Sequence, residues 1–135
     1  MSKSNTTEND ILKAVLQGTD PSWRAGATLW VALYTADPGE AGTAITNECA
    51  YGSYARVSVT KASGWSDGGS SFSNSGLLQF PECSSGSETI THCAIVTTSA
   101  GAGQILYSGA LSSSRSVSSG IQPQFAIGAL VITED

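Results

Sequence analysis

Few residues in this chain have the type and spacing to do chemistry. Gly64-Trp65-Ser66-Asp67-Gly68 fits the G-x-S-x-G pattern, in which a sharp strand-to-helix turn lifts a serine toward a histidine and an oxyanion hole. No helical periodicity follows it, only a Gly/Ser-rich stretch, so a β-turn is the better reading. The single histidine, His92, would have to be the base. It stands in THCAIV, on a strand face shared with Ile90, Ala94 and Val96, where a half-buried, hydrogen-bonded ring is expected. One His without a carboxylate at ligand spacing argues against zinc, and no D-x-D-x-D-G loop is present for calcium. Gly101-Ala102-Gly103 lacks the helix that a phosphate cradle needs and reads as a hairpin turn. Cys49, Cys83 and Cys93 match neither zinc nor thioredoxin spacing. An odd count without a secretory leader points to free thiols packed as small apolar residues. Trp23, Trp30, Trp65, Tyr34, Tyr51, Tyr54 and Tyr107 could form a sugar platform, but core packing is the commoner use of such residues. Neither a cofactor nor a catalytic constellation is expected.

The elements that must carry these residues belong to one domain, because 135 residues leave little room for more. Six basic residues against eleven acidic ones, with no basic run, give a net charge of −5 and no nucleic-acid footprint. No apolar run reaches the ~18 residues of a membrane span, so no membrane partner is expected. Charge is unevenly placed: from Thr89 to Thr133 the only formal charge is Arg115. Ser and Gly there are interleaved with Val, Ile, Leu and Tyr, which fits strands and tight turns and suggests a surface partly covered by other chains.

Residues 1–7 are expected to be a loose polar end, and residues 8–135 a single β-rich domain. Thr7 and Asp10 resemble a capping box. Ile11, Leu12, Val15 and Leu16 then make one stripe of a short helix over about 8–17, which Gly18 ends. A helix this short must dock its stripe, either on its own sheet or on a neighbour. Strands are expected between about 28 and 133. Thr28–Thr35 is apolar on both faces and therefore central. Tyr54–Lys61 alternates, with Arg56 on its polar face. Short strands follow at 70–73 and 77–80, separated by an Asn74-Ser75-Gly76 turn. Glu88–Thr97 and Gln104–Leu111 form a hairpin, Ser112–Ser114 turns the chain again, and strands at 115–118, 121–125 and 127–133 complete the set. The loop from Asp37 to about Tyr51 is longer than ordinary connections, and such loops are often functional. Seven or eight strands after one helix predict a mainly β fold, an antiparallel β-sandwich or jelly-roll-like barrel.

Five segments carry a resemblance: LKAVLQGT (Leu12–Thr19), ATLWVALYTADPGEAGT (Ala27–Thr43), TNECAYGSYARVSV (Thr46–Val59), THCAIVTTSAGAGQILYSGAL (Thr91–Leu111) and SSGIQPQFAIGALVITED (Ser118–Asp135). Together they are similar to a family of small tailed-bacteriophage virion proteins, labelled tail fibre or capsid decoration (cement) proteins. The resemblance implies a non-enzymatic structural protein, made in the host cytoplasm and present in many copies on the virion. The first expectation is a capsid cement protein on the capsid surface. It would self-associate as a homodimer or homotrimer and bridge subunits of the phage major capsid protein. The runner-up is a tail-fibre or tail-tip adhesin that contacts host glycans. The contact residues expected from position are Ile11, Leu12, Val15 and Leu16 on the helix, Asp37 and Glu40 in the long loop, and Arg56 on the polar strand face.

Overall fold

The run TLWVALY can bury apolar side chains on both of its faces, and the fold is built around it. A computed structural model describes residues 1–134 of the chain. Among them are one α-helix, α1 (Asn5–Gln17), and nine strands: β1 (Thr28–Tyr34), β2 (Val57–Thr60), β3 (Trp65–Asp67), β4 (Ser71–Asn74), β5 (Leu78–Gln79), β6 (Ser87–Val96), β7 (Ile105–Ser118), β8 (Gln124–Phe125) and β9 (Val131–Thr133). A short 3-10 turn covers Ser22–Arg24. The strands form a four-stranded sheet in the order β2-β1-β6-β7, a three-stranded sheet β3-β4-β9 and a two-stranded sheet β5-β8, every pairing antiparallel. The chain is therefore mainly β with one N-terminal helix, as its strand spacing predicts.

β1 lies between β2 and β6, with Val31 opposite Ile95 and Tyr34 opposite His92. On one face Val31, Leu33, Cys93, Ile95 and Leu106 pack against Leu78, Phe80 and Leu130 from the smaller sheets and their connections. On the other face Ala32, Tyr34, Ala94, Val96 and Ile105 make a second, smaller cluster. The long loop after β1 supplies the lid of that cluster. Its Ala44 is fully buried, the Tyr34 hydroxyl donates to the Ala44 carbonyl at 2.9 Å, and the Ala44 N–H donates to Gly103.

Several local expectations are corrected. The first residues are tied down rather than loose. Ser2 forms an antiparallel bridge with Ser108, and the terminal ammonium donates to Thr133 Oγ1. Helix α1 starts at Asn5, and its N-cap is Ser4, whose hydroxyl accepts from the Thr7 N–H. Thr7, the expected cap, sits one turn further in and is buried. Trp65–Asp67 is a strand rather than a turn, followed by a tight hairpin through Gly69 with φ of 92°. Asn74 ends β4 and is buried, because its side chain holds the segment that leads into β9.

The serine run at Ser112–Ser114 does not turn the chain either. Strand β7 runs through it, and the pairs Ile90–Arg115 and His92–Ala110 leave Thr91 facing four residues, Leu111 to Ser114, across a wide bulge. That bulge also changes which side chains share a face. Ile90 packs in the main core with Cys93 and Ile95, while Ala94 and Val96 point the other way. The strands expected at 121–125 and 127–133 shrink to β8 and β9, because residues between them turn back on Asn74 instead of pairing.

Candidate functional site

Helix α1 is docked by its polar side. Ser4 Oγ and Thr7 Oγ1 both donate to the Ile105 carbonyl, at 2.6 and 2.7 Å. Gln104 Nε2 donates to Thr7 Oγ1 and to Asp10 Oδ2, and Trp23 Nε1 donates to the same carboxylate. These bonds tie the helix to the start of β7 and fix its rotation. With Ser4 and Thr7 turned inward, Ile11 and Ala14 are half-buried on the same side. Leu12, Val15 and Leu16, at i, i+3 and i+4, then face outward with exposures of 57, 74 and 76%. Full burial of such a side chain stabilises by roughly 1.5–3 kcal/mol, and this protomer collects almost none of it here. The helix ends at Gly18, which adopts the left-handed conformation at φ of 67° and returns its N–H to Lys13.

Asp37 and Glu40 are exposed, as a contact role requires. The Asp37 carboxylate accepts from the Gly39 N–H and shapes the turn, and the Glu40 carbonyl accepts from Asn5 at the start of α1. The loop therefore meets the helix at its N-terminal end. Arg56 is different, and its expected role as a surface contact is corrected. Its side chain is 2% exposed and that of its partner Glu48 is 13% exposed. Nε and Nη2 donate to the two Glu48 oxygens at 2.6 and 2.8 Å, Nη1 to the Thr98 carbonyl and hydroxyl, and Nη2 also to the Gly101 carbonyl. Arg56 thus joins the long loop to the β6–β7 hairpin. Its hydrogen bond with Glu48 holds its pKa above the usual guanidinium value. Burial pushes the Tyr54 hydroxyl well up, and the Glu48 carboxylate it donates to reinforces the shift.

The residues with chemical potential are not gathered into a site. Ser66 is exposed on β3, and His92 shares its Nδ1 hydrogen bond with Thr91 at 2.8 Å. Cys49, Cys83 and Cys93 are buried free thiols; burial pushes Cys49 and Cys93 up to about 12, with the Glu88 carboxylate adding to the effect at Cys49. The aromatics are not gathered on one platform; Trp65 and Tyr107 line a common surface pocket, and the others are dispersed. Tyr34 and Tyr51 are buried and donate to Ala44 and Pro81, and Trp30 and Trp65 pack on the two cores. No group of three or more His, Cys, Asp or Glu is placed to hold a metal among the described residues.

One feature has no local sequence signal. A cleft of about 730 Å³ opens between the second half of β7 and the segment from Ile121 to Val131. Its walls combine Leu111, Phe125 and Leu130 with the hydroxyls of the β7 bulge and the guanidinium of Arg115. It arises where two chain segments meet across the fold, and only the isolated cation in the serine run hinted at it.

A family model described as Podophage GP4 fiber I protein gp80 matches residues 2–133, nearly the whole chain. No curated protein matches it.

Proposed function

Since the chain belongs to that family of phage virion structural proteins, we propose that it is a fibre subunit of the virion, held in place through the outward apolar face of α1. The observation that carries this reading is the orientation of the helix. Its hydroxyls are turned into the protein and Leu12, Val15 and Leu16 out of it, the reverse of what a monomer in water would stabilise. Such a face gains its burial only when another virion protein, or another copy of this one, covers it. Asp37 and Glu40 are exposed, and the Glu40 carbonyl meets the start of α1, so the loop offers a polar contact beside the N-terminal end of the helix. The role is non-enzymatic: the protein adds interface, repeated by symmetry, and makes or breaks no bond.

The family's description shifts the preference from head to tail. A capsid cement role, bridging major capsid subunits, is the second reading. It is favoured by the small β-body, in which the described residues form short strands in three sheets rather than a repeated shaft. Imaging of purified virions with an antibody to this protein separates the two. The fibre reading expects label at the tail and a copy number like that of other tail proteins. Label spread over the head, with a copy number like that of the major capsid protein, would replace it with the cement reading. Absence from finished virions would remove both.

A further inference from the structure

The cleft beside β7 is bounded on one side by an unpaired strand edge. β7 ends its sheet, and beyond the Ser2–Ser108 bridge no described strand lies along its outer edge. Ser112 to Ser116 are exposed along it. On the opposite wall, β8 is paired only with β5. The Phe80 N–H donates to the Pro123 carbonyl, so the alternation of an antiparallel ladder turns the peptide groups of the next residue, Gln124, away from β5. Gln124 lines the cleft. The free edge of β7, with the peptide groups of Gln124 across from it, therefore borders a trough lined by Leu111, Phe125 and Leu130, a surface that can add one extended strand along β7. Exposed edges of this kind are normally blunted by charge or covered. Arg115, the one charged side chain that lines the cleft, has no hydrogen-bond or ion-pair partner among the described residues. It is also the only formal charge between Thr89 and Thr133, so its position at the trough is a choice of sign as well as place.

We infer that the cleft is a strand-accepting groove, which takes one extended segment of a different virion protein along the outer edge of β7 and pairs a carboxylate of that segment with Arg115. The inference rests on the virion reading above and names a second, separate contact for it. A second copy of this chain is a poorer fit, because an edge-to-edge pairing of two β7 strands brings two Arg115 side chains toward each other.

Phage assembled with p-benzoylphenylalanine in place of Ser113 or Ser116 tests this after irradiation of purified virions and sequencing of the linked peptides. The expected result is a link to one segment of another virion protein with an Asp or Glu close to the linked residue. Its yield should fall about ten-fold with Arg115→Glu and survive Arg115→Lys. Ser116→Pro, which removes an edge N–H and adds no charge, should lower it as well. Thermal unfolding of each variant checks that the β-body is intact. Links only to a second copy of this chain, links to glycan, no link from virions that contain the chain, or a yield indifferent to Arg115→Glu would each overturn the groove. The same photo-residue in place of Leu16 reports the helix contact independently. Links from Leu16 with none from Ser113 or Ser116 therefore reject the groove while leaving the virion reading intact, whereas a chain missing from virions defeats both.

Discussion

Arg56 shows how one side chain can organise loops that are distant in sequence. Its guanidinium makes five hydrogen bonds, to Glu48, Thr98 and Gly101, and nearly all of its surface is covered. A pair at the surface would contribute at most about 1 kcal/mol. A covered pair responds differently when one member is removed, because the other is left desolvated and alone. Arg56→Met should therefore destabilise the protein by about 3–5 kcal/mol, read by urea unfolding at neutral pH. Arg56→Lys keeps the charge but loses the fork that spans both Glu48 oxygens and the hairpin carbonyls, so a smaller loss is expected. A change below about 1 kcal/mol for Arg56→Met would mean that the node behaves as an exposed ion pair and that the loop is held by Ala44 and Tyr34 instead.

At the scale of elements, Asn74 replaces a strand pairing that the chain from Ala126 to Leu130 lacks. Its amide donates to the Gly76 and Ala126 carbonyls, and its Oδ1 accepts from the Leu130 N–H. Asn74→Ala removes three hydrogen bonds at once and leaves the buried Leu130 N–H without its partner, so it should cost about 3 kcal/mol by chemical unfolding. A near-neutral result would show that the pairing of β9 with β4 and the packing of Leu130 and Ile132 position this segment without Asn74. What the sequence made legible was burial with a period. β1 and β6 were readable because both of their faces are apolar, and α1 because its apolar residues recur at helical spacing. Its rotation was not readable, since two hydroxyls bonding to Ile105 leave no periodic mark. The Ser112–Ser114 bulge has the composition of a turn, and only the pairing on either side of it shows that the strand continues. The cleft was hidden for the same reason: its two walls are close only after β7 and the segment from Ile121 to Val131 have folded against each other.

For the whole molecule, the distribution of polar and apolar groups separates folding from assembly. The β-body closes its two cores without Leu12, Val15 or Leu16, so these residues contribute little to the stability of a single chain. They are available to contribute on contact with a neighbour, where a few central apolar anchors carry most of an interface. The low charge of the second half acts in the same direction, because it lowers the desolvation cost of packing copies or partners side by side. The double substitution Leu12→Asp and Leu16→Lys tests this division directly. Unfolding free energy should stay within about 0.5 kcal/mol of the parent, as for other surface changes. Incorporation into virions, measured by quantitative mass spectrometry against another virion protein, should drop at least about ten-fold. A stability loss of 2 kcal/mol or more per leucine, on the order of a core truncation, would place the helix face inside the protein's own packing. Parent-level incorporation would instead leave the exposed stripe without a role in assembly, and the burden of attachment would pass to the groove beside β7.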